Sequence, residues 1–189
     1  MAGLSHRSAG MIVLALIISS LTMAQPAGPQ LREDSNESAE GFVAALYQAV
    51  SAGPGTIPDW EKVRSFFLKE AVVVLRTSRT RITTFTLDGF IKDFSDFYER
   101  PIKIGDVTLR PKVDGFFERV VRTRAWTFRT MAHVLVLYEA HIPGAPRNPQ
   151  QGIDSFILTR SDGRWFIAGI TNELITPEHP IPAELRAVQ

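Results

Sequence analysis

The chain has no cysteine among its 189 residues. That excludes disulfides, thiol nucleophiles and cysteine metal sites, so any compact structure must be held by its core alone. An excess of charge of one sign is missing too. Lys and Arg number 21 against 20 Asp and Glu, a formal net charge of +1. Nothing electrostatic therefore points to a nucleic-acid partner, and none is expected. A long apolar run is also absent. The longest, MIVLALIISSL at 11–21, is too short to span a bilayer comfortably. Neither a Gly-rich phosphate loop nor metal-ligand spacing occurs, so no cofactor and no metal site are expected.

What is present begins with a leader. Residues 1–10 carry His6 and Arg7 and no acid, and the apolar run follows. Thr22 and Ala24 then stand where a signal peptidase accepts small residues. The reading is a secretory signal peptide at 1–24, cleaved after Ala24. The mature protein is expected to be exported, periplasmic or extracellular, with no stable membrane anchoring after cleavage. Residues 25–37, QPAGPQLREDSNE, offer little to bury and read as a flexible tether. A domain is expected at 38–182, with a C-terminal tail at 183–189.

Within the domain, Ser38 is a good helix cap, and Phe42, Leu46, Ala49 and Val50 share one helical face with Tyr47 beside them. A second helix is expected from Pro58, with Trp60, Val63, Phe66 and Phe67 at helical spacing. AVVVLR at 71–76 reads as a strand. TLDGFIKDFSDFYERP reads as a third helix capped by Thr86, lined by Phe90, Phe94 and Phe97, and ended by Pro101. Strands are then expected at 116–125, 128–141, 152–160 and 164–173. Ser161-Asp162-Gly163-Arg164 makes the last turn. Helices early and a meander late imply an α+β fold, a curved antiparallel sheet packed on three N-terminal helices and enclosing an apolar pocket.

MAHVLVLYEAHI, QGIDSFILTRSDGRWFIAGI and TNELITPEHPIP, together with this element order, resemble the nuclear transport factor 2-like superfamily over about residues 38–182. The nearest branch is the polyketide-cyclase-like (SnoaL-like) group of exported bacterial proteins. The resemblance implies a cone-shaped, cystatin-like fold. It does not imply an activity, because members include isomerases, dehydratases, hydrolases, cyclases and non-enzymes. The ketosteroid-isomerase branch carries an aspartate base at the end of the strand after the second helix. Here that place holds Leu75 and Arg76, and leucine cannot take a proton, so hydrophobic probes are expected to bind without turnover of a 3-keto steroid. The paired histidines of the dehydratase branch have no match. His133 and His141 lie eight residues apart on a strand, about 26 Å at ~3.3 Å per residue.

Strand alternation sorts the remaining candidates. Phe128, Thr130, Ala132, Val134, Val136, Tyr138 and Ala140 share the face assigned to the cavity. His133, a general base by type, falls on the opposite face, where a structural role is expected. Glu118, Arg122 and Arg124 read as a charge ladder on one strand face, and an anionic ligand is the alternative. The ligand-binding set is Tyr47, Trp60, Phe94, Tyr98, Val134, Val136, Tyr138 and Asn172. No catalytic residue is assigned. The expected function is binding of a small apolar or amphipathic molecule. The alternatives are a lyase, isomerase or cyclase using Tyr138, His133 or Asn172, and a non-catalytic interaction module. Met131, Leu135 and Leu137 form an apolar patch on the outer face, where a homodimer is expected.

Overall fold

A computed structural model describes residues 38–78 and 80–186. The expected leader (1–24) and tether (25–37) lie outside the described residues, as do 187–189. Helix α1 (Ala39–Val50) starts where Ser38 Oγ accepts from the Gly41 amide at 3.0 Å. Its buried residues, Phe42, Val43, Leu46, Tyr47 and Val50, recur at the spacing of one helical face. Helix α2 (Trp60–Arg64) is capped by Asp59 and is only five residues long. The helical spacing of the sequence predicts a continuation through Phe67. Instead Phe67 opens strand β1 (Phe67–Arg76), because the β-branched run behind it recruits the chain into the sheet. After β2 (Ile82–Thr86), Thr86 caps α3 (Leu87–Glu99). Among the described residues two helices, not three, thus precede the sheet, and α3 follows its first hairpin.

A small hairpin, β3 (Ile102–Ile104) with β4 (Val107–Leu109), and a single-turn helix α4 (Pro111–Asp114) lead into four long strands. These are β5 (Phe117–Phe128), β6 (Met131–His141), β7 (Gln150–Ser161) and β8 (Arg164–Leu174). The main sheet has the order β2-β1-β8-β7-β6-β5. It is mixed rather than purely antiparallel, since β1 runs parallel to β8. The turn from β7 to β8 has positive φ at Asp162 (51°) and Gly163 (78°), the two-residue geometry that suits the twist of a hairpin.

The sheet packs its inner face on α1 and α3. Its outer face is partly covered by the chain itself. The turn Ala183–Leu185 lies on β5 and β6, and both Leu185 and Leu137 are buried. Leu137 therefore does not belong to an exposed patch. Met131 is exposed, with Trp126, Phe128 and Ile157 for neighbours rather than Leu137.

Candidate functional site

The inner face is filled at one end. Ala132, Val134, Phe156, Leu158 and Ile167 are each at most 5% exposed there. At the other end the side chains do not meet, and they leave a cavity of about 380 Å³, within the ~300–1,000 Å³ typical of small-molecule sites. Its walls are mainly apolar. Leu46 and Val50 come from α1, Phe90, Phe94 and Phe97 from α3, and Val73, Phe156 and Ile170 from the sheet.

Two carboxyl groups face this apolar space, Glu118 on β5 and Asp154 on β7. Each owes its place to strand geometry. Asp154 has the parity of Phe156 and Leu158 and is registered with Val136 on one side and Asn172 on the other, so it points inward. Glu118 points inward because β5 is irregular. Its partner is Ala140 and that of Val120 is Tyr138, but Arg122 pairs with Leu137. The extra residue, Val121, makes a bulge that reverses the parity of everything beyond it. Arg122 and Arg124 thus lie on the outer face with Leu137 and Leu135, and the expected ladder with Glu118 does not exist.

Local contacts pin both acids. Ser51, at the end of α1, accepts from the Glu118 amide at 2.9 Å and donates to the Tyr47 carbonyl at 2.7 Å. Paired backbone bonds of 2.9 Å between Ala52 and Phe116 fix the same junction. The Tyr47 hydroxyl donates to Asp154 Oδ2. A second hydroxyl stands nearby, because the Tyr138 phenol is bonded by the Asn172 side chain. Asn172 Oδ1 in turn accepts from the Arg76 amide at 2.6 Å. Gly152, registered opposite Tyr138, leaves the room this requires. A Cβ there would stand 2.5 Å from the Tyr138 hydroxyl.

Removal from bulk water controls the charge state. Burial pushes the Glu118 carboxyl up to about 8, with the Asp154 charge adding to it. Burial also pushes Asp154 up to about 7, opposed by the hydrogen bond from Tyr47. Both residues are half-buried and border the cavity. Near neutral pH Glu118 therefore holds a proton and Asp154 is poised to lose or take one. Burial raises Tyr47 and Tyr138 as well, which keeps both phenols neutral. A carboxylate titrating near neutrality beside a neutral carboxylic acid can remove a proton from one position of a bound molecule and supply one at another. Among the described residues no group of three or more His, Asp or Glu is placed to hold a metal ion.

Of the eight residues selected from the sequence, Tyr47, Phe94, Tyr138 and Asn172 line the cavity. The other four lie behind its wall. Trp60 packs on Phe94 and Tyr98 with ring centroids 5.8 and 5.7 Å apart. Tyr98 is buried, and its hydroxyl donates to the Val50 carbonyl at 2.7 Å. Val134 and Val136 have no exposure at all, because they sit toward the filled end. His133 is on the outer face, 2.9 Å from Ser155 Oγ and stacked on Trp126. Leu75 and Arg76 border the cavity, and Arg76 is paired with Glu173.

The sequence did carry signals for both missed acids. Asp154 shares parity with two inward apolar residues. Val120 and Arg122 share parity with opposite character, which is the mark of a bulge between them.

No family model matches the chain, and no curated protein matches it. Solved structures do. A "putative aromatic ring hydroxylase" from Novosphingobium aromaticivorans is similar at a TM-score of 0.52 and 14% identity, over 73% of this chain and 87% of its own. A protein of unknown function with a cystatin-like fold from Nostoc punctiforme is similar at 0.51 and 10% identity, over 75% and 90%. A nuclear transport factor 2-like protein of unknown function from Silicibacter pomeroyi aligns at 0.47 and 14% identity, over 72% and 92%. The likeness extends to the fold alone: the chain has an α+β, cystatin-like fold.

Proposed function

We propose that the chain binds a small apolar or amphipathic molecule in this cavity and moves a proton on it, as an isomerase, lyase or cyclase does. The observation that carries the reading is the pair Glu118 and Asp154, both facing one apolar cavity, with Tyr47 donating to Asp154. The ionised Asp154 accepts a proton from a carbon or hydroxyl of the ligand. The protonated Glu118 stabilises the charge that develops on a ligand oxygen, and the proton returns at a second position. This base is on β7 and not at the end of β1, so the leucine at position 75 does not exclude proton transfer.

The test uses 2-tetralone, a fused-ring ketone with acidic hydrogens, in heavy water, with exchange followed by NMR. Exchange by the wild type should exceed that by Asp154→Asn by about 100-fold or more, and should rise with pH through about 7. Equal exchange by the two proteins, with the ketone still bound, would reduce the function to binding alone. Native mass spectrometry of protein from its own host tests the binding itself through a retained ligand.

We propose two further properties from the sequence. Export rests on the leader at 1–24, and N-terminal sequencing should find Gln25 first. Two-fold association is proposed at the uncovered end of the outer face, where Trp126, Phe128, Met131 and Ile157 are exposed. Light scattering should report twice the mature mass.

A further inference from the structure

The cavity changes character from floor to rim. Glu118 and Asp154, which burial removes from bulk water, mark its floor, and the walls are aromatic and aliphatic. Its rim carries two exposed arginines, Arg100 and Arg147. They come from different elements. Arg100 caps the C-terminal end of α3, its amide bonded to the Asp96 carbonyl at 3.1 Å. Arg147 lies in the loop between β6 and β7. That loop is seated on the β3–β4 hairpin that follows Arg100. Pro146 is 4.0 Å from where a Cβ on Gly105 would stand, and Leu109 is 3.9 Å from where one on Gly144 would stand.

Arg64, Arg76, Lys92, Lys112 and Arg119 each face a carboxylate at ion-pair distance. Arg100 and Arg147 meet none among the described residues. Among the described residues the same rim carries one acid, Asp93, half-buried on α3. The balance at the opening is therefore cationic, while the acids lie at the far end.

We infer that the molecule this cavity takes is an amphipathic anion, a carboxylate with an apolar body. Its charged end is held at the rim by Arg100 and Arg147, and its far end is presented to the Glu118–Asp154 floor. A guanidinium matches a carboxylate with two parallel hydrogen bonds, and two arginines near an open mouth also draw anions in from solution. The opposite orientation would bring an anionic group against the Asp154 charge in an apolar space. The inference rests on the proposed binding role of the cavity, but not on proton transfer.

The test compares 6-(2-naphthyl)hexanoic acid with its primary amide, followed by naphthyl fluorescence on the full chain. The carboxylate should bind at least about tenfold more tightly than the amide, with the difference shrinking at high salt. In the Arg100→Gln/Arg147→Gln double variant, carboxylate affinity should fall to that of the amide and amide affinity should not change. The unchanged amide reports that the cavity is intact. Equal affinity of the two probes for the wild type, or equal loss of both in the variant, would overturn the anion preference. Proton transfer would remain open in that case. Failure of both probes to bind at all would overturn this inference together with the binding role it rests on.

Discussion

Along β6, Ala132, Val134 and Val136 face the same way as Tyr138 and Ala140, yet the two groups live in different surroundings. The first three are sealed in close-packed core at 5, 0 and 0% exposure. The last two border open space and lie beside carboxyl groups. β7 repeats the division, with Leu158 and Phe156 at one end and Asp154 and Gly152 at the other. The packed end stabilises the protein by removing apolar surface from water and filling space at near-crystalline density. The open end does the reverse, holding two acids away from bulk water with no cation among the partners found for their carboxyls. One sheet face thus supplies stability at one end and a cavity bordered by two acids at the other.

Mutations at the two ends should separate these roles. Asp154→Asn should reduce proton transfer by roughly 100- to 10,000-fold, without lowering the melting temperature at pH 8, because a charge is removed from an apolar site. Steady-state exchange kinetics with calorimetry on one sample checks both halves. Leu158→Ala should do the opposite. It opens a hole in the filled end at a cost of about 2–5 kcal/mol, read by urea unfolding, while kcat in the folded protein holds. Val136→Trp belongs to this class as well. With no exposure at position 136, the indole overpacks the core and cannot fill the cavity.

The pH dependence of stability sharpens the contrast further. The carboxyls of Glu118 and Asp154 sit at about 8 and about 7 in the folded chain, above their ordinary values of 4.5 and 3.8. The folded state therefore binds more protons than the unfolded one across that window. Stability is greatest below about pH 4 as far as these groups are concerned, and falls as pH rises to about 8. Urea midpoints between pH 5 and pH 8.5 should decline for the wild type and flatten for the Glu118→Gln/Asp154→Asn double variant. An equal slope in the two proteins would remove the pair from the account.

A smaller effect is expected from Gly152→Ala. Its Cβ displaces the Tyr138 phenol from Asn172, so ligand affinity should drop several-fold by fluorescence titration while the filled end is unaffected. Smallest of all is Arg119→Ala. It breaks a pair with Glu139 on the outer face in which the arginine is exposed, and urea unfolding should register less than about 1 kcal/mol.

Much of the architecture was legible from local patterns. The caps at Ser38 and Thr86, the Asp162-Gly163 turn and the alternation of β6 from Met131 onward each depend on neighbours within a few residues and appear where they were read. The strand read from 128, however, starts at Met131, and Phe128, placed on the cavity face, ends β5 and is exposed. α2 was misread because Phe66 and Phe67 continue a helical spacing by chance, and the competing pull of β1 is tertiary. The parallel pairing of β1 with β8 joins residues about a hundred positions apart, which no local pattern encodes. At the site, Tyr47, Phe94, Tyr138 and Asn172 were found by type and face. Asp154 was passed over although its parity with Phe156 and Leu158 placed it inside. Glu118 was set on a surface ladder, because an unbroken alternation was assumed through Val120 and Val121.

By itself, then, the sequence determined what period and chemistry determine: α1, α3 and the long strands, the inward face of β6, the last hairpin turn, and a chain without cysteine that must rely on its core. The tertiary structure alone decided where along the inner face the core stops and the cavity begins. Exposure at Val134 or Val136 depends on how closely α1 and α3 approach each strand end. It alone decided the chemistry as well, since one extra residue at Val121 rotates Glu118 inward, and burial then raises its proton affinity and that of Asp154. Alternation is a property of a regular strand, whereas a bulge and the depth of a cavity arise from how whole elements fit together.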